Sequence, residues 1–281
     1  MSLIRRGVLT AAPGLLMAGP AVAGPRQRVV SLSPCLDEIL VEVADRGQIA
    51  ALSHFARDPE GSTVSALART YPQTYETAEE VMAIRPDLIL ASRHTSLATR
   101  AALERLGLNL ELFAVPDTIA DSTAQVARVA GLVGHPDRGT ALIRRIKAAL
   151  LAARPPAGLP PVSALVFQPR GLAAGEGTLM NELLVRTGFA NAAMRYGIRQ
   201  WGTVSLEQLL ADPPRILLSA EVQPGAPTWA ERIISHPALK SLGGKMQRAV
   251  FPERLLYCGG PTLIQSAGIL AAARQRMEQR G

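Results

Sequence analysis

Short apolar, β-branched runs alternate with stretches of helical spacing along most of the chain. Residues 28–32 (RVVSL) form the first such run, which ends at Ser33-Pro34. Leu36, Ile39, Leu40 and Val43 then recur at helical spacing, so strand, loop and helix are predicted in succession. A second strand is predicted over 48–52. A helix over 79–84 breaks at Arg85-Pro86, and a third strand follows over 88–91. A helix over 99–106 stops at Gly107, and a fourth strand is predicted over 108–115. Strands alternating with helices predict a parallel α/β sheet.

The middle of the chain has a different rhythm. A helix is predicted over 122–133, stopped by Gly134, and a longer one over 137–153, about 25 Å at 1.5 Å per residue. Leu142, Ile143, Ile146, Ala149, Leu150 and Ala153 fall on one face of the second helix. Four prolines within residues 154–161 end it and mark a boundary. The α/β rhythm then restarts. Strands are predicted over 162–167 and 215–219, an extended stretch over 249–252, and helices over 178–187, 205–210, 229–234 and 262–277. The predicted plan is an N-terminal α/β lobe over 24–118, a helical bridge over 119–160 and a C-terminal α/β lobe over 161–281.

One helix–strand unit occurs twice. EEVMAIRPDLILAS (79–92) aligns without gaps on EQLLADPPRILLSA (207–220), matching Glu79 with Glu207, Pro86 with Pro214 and Leu90 with Leu218. Each unit opens with a capping-box pattern, Thr77 with Glu80 and Ser205 with Gln208. Glu79 and Glu207 are therefore expected in the first helical turn, exposed at corresponding places on the two lobes. They serve either as favourable charges at helix N-termini or as a pair of docking charges for a two-fold partner.

The first 23 residues change the picture. Arg5 and Arg6 precede an uncharged, mostly apolar stretch over 7–19, and Ala21-Val22-Ala23 is a small-x-small cleavage pattern. This predicts a signal peptide cleaved near Ala23 and export to the periplasm, by the general or the twin-arginine route; the alternative is a buried N-terminal helix. The rest carries 28 basic and 23 acidic residues with no basic run interleaved with aromatics, which disfavours nucleic acid as a partner. The four histidines are scattered without zinc-site spacing. Cys35 and Cys258 are left open as free thiols, a thiolate pair for a soft metal, or a disulfide.

RVVSLSP (28–34), AEEVMAIRPDLILAS (78–92), GLVGHPD (131–137), GTLMNELLVRTGFAN (177–191) and WGTVSLEQLLADPPRILL (201–218), in this order and spacing, resemble the periplasmic receptors for cobalamin, haem and ferric siderophores. The resemblance implies two Rossmann-like α/β lobes joined by a single long rigid helix, the class III periplasmic binding protein fold. It also implies a monomer without enzymatic activity, catalytic residues, metal site or cofactor of its own. Its expected partners are a cobalt or iron chelate, and the permease dimer of an ABC importer that Glu79 and Glu207 would meet.

The carboxyl ends of strands line the crevice of such lobes. On that rule the expected cleft residues are Ser33, Pro34, Cys35, Phe55, Arg57, Arg93, His94, Gln168, Arg170, Tyr196, Arg199, Trp201, Tyr257 and Cys258. Trp201 matches a cleft-wall tryptophan of corrinoid receptors, and the arginines suit an anionic chelate. His94 is a candidate axial ligand or a polar surface group. Two rival functions are a zinc or manganese receptor, which needs three or four converging ligands, and a periplasmic enzyme, which needs a nucleophile–base pair or open metal site.

Overall fold

The structure, a computed structural model, describes residues 27–168, 171–220, 236–242 and 244–279. The expected signal peptide, Arg170 and the helix predicted over 229–234 lie outside the described residues.

The N-terminal part alternates β1 (Val29–Ser31), α1 (Pro34–Val43), β2 (Ile49–Ser53), α2 (Ser65–Ala68), β3 (Gln73–Thr74), α3 (Ala78–Ile84), β4 (Leu88–Ser92), α4 (Leu97–Arg105) and β5 (Leu110–Phe113). Its strands form a parallel sheet in the order β3-β2-β1-β4-β5. Helices α5 (Ile119–Leu132) and α6 (Pro136–Ala152) follow. The second part contains β6 (Val162–Phe167), β7 (Leu172–Ala174), α7 (Leu179–Arg186), β8 (Phe189–Asn191), β9 (Trp201–Thr203), α8 (Leu206–Ala211), β10 (Ile216–Ser219), α9 (Pro237–Lys240), β11 (Gln247–Val250) and α10 (Thr262–Glu278). Its parallel sheet runs β11-β10-β6-β8, and β7 pairs antiparallel with β9 as a separate ribbon. The two sheets are distinct, as a two-lobed α/β fold requires.

The two-residue period of the strands assigns their side chains to two sides. Val29, Leu88 and Leu90 face one core, while Val30, Ile89 and Ala91 face another on the far side of the first sheet. In the second sheet Ala164, Val166, Ile216 and Leu218 share the first core, and Leu165, Phe167 and Leu217 turn away. The shared core runs between the lobes through α5, α6 and α10. Its α6 residues are Leu142, Ile146 and Leu150, on the face the sequence predicted. The long connecting helix does not stand alone, because α5 and α10 both pack against it.

The repeated unit is present as α3–β4 and α8–β10. Val81 and Leu209 are buried at equivalent helix positions, as are Leu90 and Leu218 on the central strands. The caps differ. Ser205 and Gln208 form a complete capping box. Thr77 accepts the Glu80 amide, but the Glu80 carboxylate accepts instead from the Thr74 hydroxyl (3.0 Å) and the Tyr75 amide (2.7 Å). The expected reciprocal box at Thr77 is therefore only half made, because the neighbouring turn offers Glu80 better placed donors.

Candidate functional site

A cavity of about 430 Å³ lies between the lobes. Its N-terminal wall is Ser33 to Leu36, at the carboxyl end of β1 and the start of α1, together with Ser92 at the end of β4 and His94 beyond it. Phe113 to Asp117, where the chain leaves β5, forms a second wall, backed by Gln125 on α5. The C-terminal wall is Leu172, Trp201 and Tyr257. A wider cavity of about 700 Å³ shares the Phe113–Asp117 segment and adds Arg93, Asp121 and Arg128. Arg128 pairs with Glu111 and lies over the Phe113 ring, 4.4 Å from its centroid.

The two half-exposed rings are positioned by local backbone chemistry. Trp201 opens β9 and pairs with Ala174 of β7, and the Gly175 amide donates to the Gln200 carbonyl at 2.6 Å. A β-carbon on Gly175 would lie 2.2 Å from the Ile198 carbonyl oxygen, so only glycine permits this ribbon. With that backbone fixed, Trp201 remains 47% exposed and borders the cavity. Tyr257 is 46% exposed and its hydroxyl donates to Glu253 at 3.2 Å.

Cys35 and Cys258 are joined in a disulfide, with Cα atoms 5.0 Å apart. Of the three states left open by the sequence, the bridge is the one present. Cys35 lines the 430 Å³ cavity and Cys258 a small adjoining one of about 40 Å³.

The other expected cleft residues divide. Ser33, Pro34 and His94 line the cavity with Cys35, Trp201 and Tyr257, and Arg93 lines the wider one. Phe55 lies off these cavities, its ring 3.9 Å from that of His54, which in turn stacks on Tyr75 at 5.0 Å. Arg57 turns away to donate to the Tyr71 carbonyl at 2.6 Å. Tyr196 packs beside the second core of the C-terminal lobe and donates to the Asp212 carbonyl at 2.6 Å; burial pushes its hydroxyl up to about 12. Gln168 is buried, and its side-chain amide makes no hydrogen bond among the described residues. Arg199 is exposed beyond the cavities, its backbone in a parallel β-bridge with that of Glu176. Among the described residues no three His, Cys, Asp or Glu side chains converge as a metal site.

The wall that the sequence did not reveal is Phe113 to Asp117 with Gln125 and Leu172. The strand predicted over 108–115 absorbed Ala114 and Val115. In the structure the strand ends at Phe113, and these two apolar residues face the cavity.

Beneath the N-terminal wall, α1 carries two buried carboxyl groups. Burial pushes Asp37 up to about 8, only partly offset by hydrogen bonds from Ser31 and Ser53. The Ser53 amide and hydroxyl donate to it at 3.2 and 2.5 Å. Burial also pushes Glu38 up to about 7, against hydrogen bonds from Thr63. Glu79 and Glu207 lie at the surface in the first turns of α3 and α8. A backbone amide and the Ser205 hydroxyl hold the Glu207 carboxyl below its ordinary value.

A family model described as periplasmic binding protein matches residues 29–243. No curated protein sequence matches the chain. Among solved structures, the periplasmic haem-binding protein RhuT from Roseiflexus sp. RS-1 is 22% identical, with a TM-score of 0.72 over 90% of this chain and 99% of that one. A periplasmic haem-binding protein from Pseudomonas aeruginosa is 22% identical, with a TM-score of 0.69 over 88% and 92%. The periplasmic vitamin B12-binding protein BtuF of Vibrio cholerae is 15% identical, with a TM-score of 0.68 over 90% and 98%. At these identities the likeness is one of fold.

Proposed function

The chain belongs to the periplasmic binding protein family, and on that premise we propose that it is a periplasmic receptor that captures a metal chelate between its lobes and delivers it to an ABC importer. The observation that carries this reading is the interlobe cavity, walled from one side by Ser33 to Leu36 and from the other by Trp201 and Tyr257. A planar macrocycle needs flat apolar surfaces with a few polar groups at its edge. Two half-exposed aromatic rings, with Ser92, His94 and Gln125 nearby, supply both. Corrinoid, haem and ferric siderophore are the candidate ligands. The similar structures named for haem and vitamin B12 support this class.

Glu79 and Glu207, one exposed acid at the same place in each repeated unit, are proposed to meet a dimeric permease. Exposed charges add little to affinity singly, but a matched pair steers encounter and fixes register.

Titrating the protein with cyanocobalamin, haemin and a panel of ferric siderophores tests the reading. Binding should change the ligand's absorbance, quench tryptophan fluorescence and raise the melting temperature. A ligand at 100 times its dissociation constant adds about 2.7 kcal/mol. No binding by any member, or chemical conversion of a bound one, would refute it.

A further inference from the structure

We propose that the Cys35–Cys258 disulfide is a positioning element of the ligand site, a covalent tie that sets the separation of the two cavity walls. This rests on the interlobe cavity being where ligand binds. Cys35 is the second residue of α1, within the Ser33–Leu36 wall. Cys258 directly follows Tyr257, the aromatic wall of the other lobe. The bond spans 223 positions of sequence and closes on the cavity itself.

The loop that carries Tyr257 is also held in place without covalent help. The Gly260 amide donates to the Ser122 hydroxyl of α5 at 2.7 Å, and the Thr262 hydroxyl donates to the Cys258 carbonyl at 2.7 Å. A β-carbon on Gly259 would lie 2.4 Å from the Ser122 hydroxyl oxygen, so the loop is pressed flat on α5. These contacts fix the loop to α5 and to the start of α10. Gly260 also packs against Ile39 of α1, and the disulfide adds a covalent tie to the start of that helix, and so to the opposite wall. The bond thus reinforces that packing at the cavity edge: it holds Tyr257 at a set distance from Ser33–Leu36 before ligand arrives. Preorganisation of this kind lowers the ordering cost of binding and appears mainly as slower dissociation. An oxidising compartment is where such a bond persists.

The test compares the parent protein with the double variant Cys35→Ser, Cys258→Ser. Maleimide-linked nitroxides at L97C and V185C, exposed sites on α4 and α7, report the interlobe distance by electron-spin distance measurement without any ligand. Haemin dissociation, read by transfer to an excess of apoprotein scavenger, reports the site. We expect a broader interlobe distance distribution in the variant, and haemin release faster by about tenfold or more. An unchanged distribution, or an unchanged release rate, would overturn the proposal even if the melting temperature falls. If the variant does not fold, both readings are taken on oxidised protein reduced afterwards with dithiothreitol. If the parent binds none of haemin, cyanocobalamin and the ferric siderophores, the metal-chelate reading fails; the label distances, which need no ligand, then decide whether the bond sets the wall separation.

Discussion

The buried carboxyl of Asp37 makes the stability of the N-terminal lobe depend on pH in a direction opposite to that of most acidic side chains. Its pKa is 3.8 when unperturbed and about 8 in the fold. Between those values the folded chain holds a proton at Asp37 that the unfolded chain has released. Stability changes with pH in proportion to protons bound unfolded minus protons bound folded. Here that difference is about minus one, so stability falls as pH rises. The stabilisation is complete below about pH 4, declines by about 1.4 kcal/mol per pH unit, and is gone above about pH 8. Glu38, pushed up to about 7, adds a second proton with the same sign between its ordinary value and pH 7. Asp37→Asn removes the first contribution alone. The amide that replaces the carboxyl keeps an acceptor for the Ser53 N–H and gains an N–H directed at the surrounding hydroxyls. Urea melts at half-unit steps from pH 5.5 to 8 measure the effect. The difference in unfolding free energy, parent minus variant, should decline by about 1.4 kcal/mol per pH unit up to about pH 7 and level off towards pH 8. Parallel curves would refute the argument, since they would mean that Asp37 is ionised in both states.

Three further outcomes are expected. Trp201→Ala should weaken haemin or cyanocobalamin binding by about 2 kcal/mol, roughly thirtyfold in Kd; because the ring is half exposed, calorimetric melting should stay near that of the parent. Glu79→Ala with Glu207→Ala should leave that Kd unchanged while reducing permease-dependent uptake in vesicles; a weakened Kd would place these acids in the ligand site instead. Gly259→Ala forces a β-carbon onto the Ser122 hydroxyl and should destabilise the protein by about 1–3 kcal/mol in denaturant titration.

The strands most legible in the sequence are those with longer apolar runs between turn and helix signals. Residues 162–167 were predicted as a strand and form β6, and 88–91 falls short of β4 by one residue. β3, β7, β8 and β9 have two or three residues each, too few to display any period. The repeated unit was visible because both copies bury the same positions, Val81 with Leu209 and Leu90 with Leu218. The site was harder to see. An apolar residue that lines a cavity has the same signature as one that fills a sheet, so Ala114 and Val115 appeared to continue β5. Arg57 lies near the carboxyl end of β2, where the strand-end rule expects cleft residues, yet a nearby carbonyl of Tyr71 captures its guanidinium. Such competition depends on neighbours brought together by folding and leaves no local trace. The same holds for Cys35 and Cys258, whose partnership spans 223 positions.

The packing of α10 along α6 has a bearing on how the molecule is assembled. The spine between the lobes borrows its third helix from the final stretch of the chain. Leu263, Ala267, Leu270 and Ala273 of that stretch belong to the same apolar core as Leu142 and Ile146. Until those last turns have emerged, the middle of the protein lacks a covering layer. The two halves therefore acquire their final mutual seat only once α10 has been made, and a chain lacking α10 would lose the joint between them.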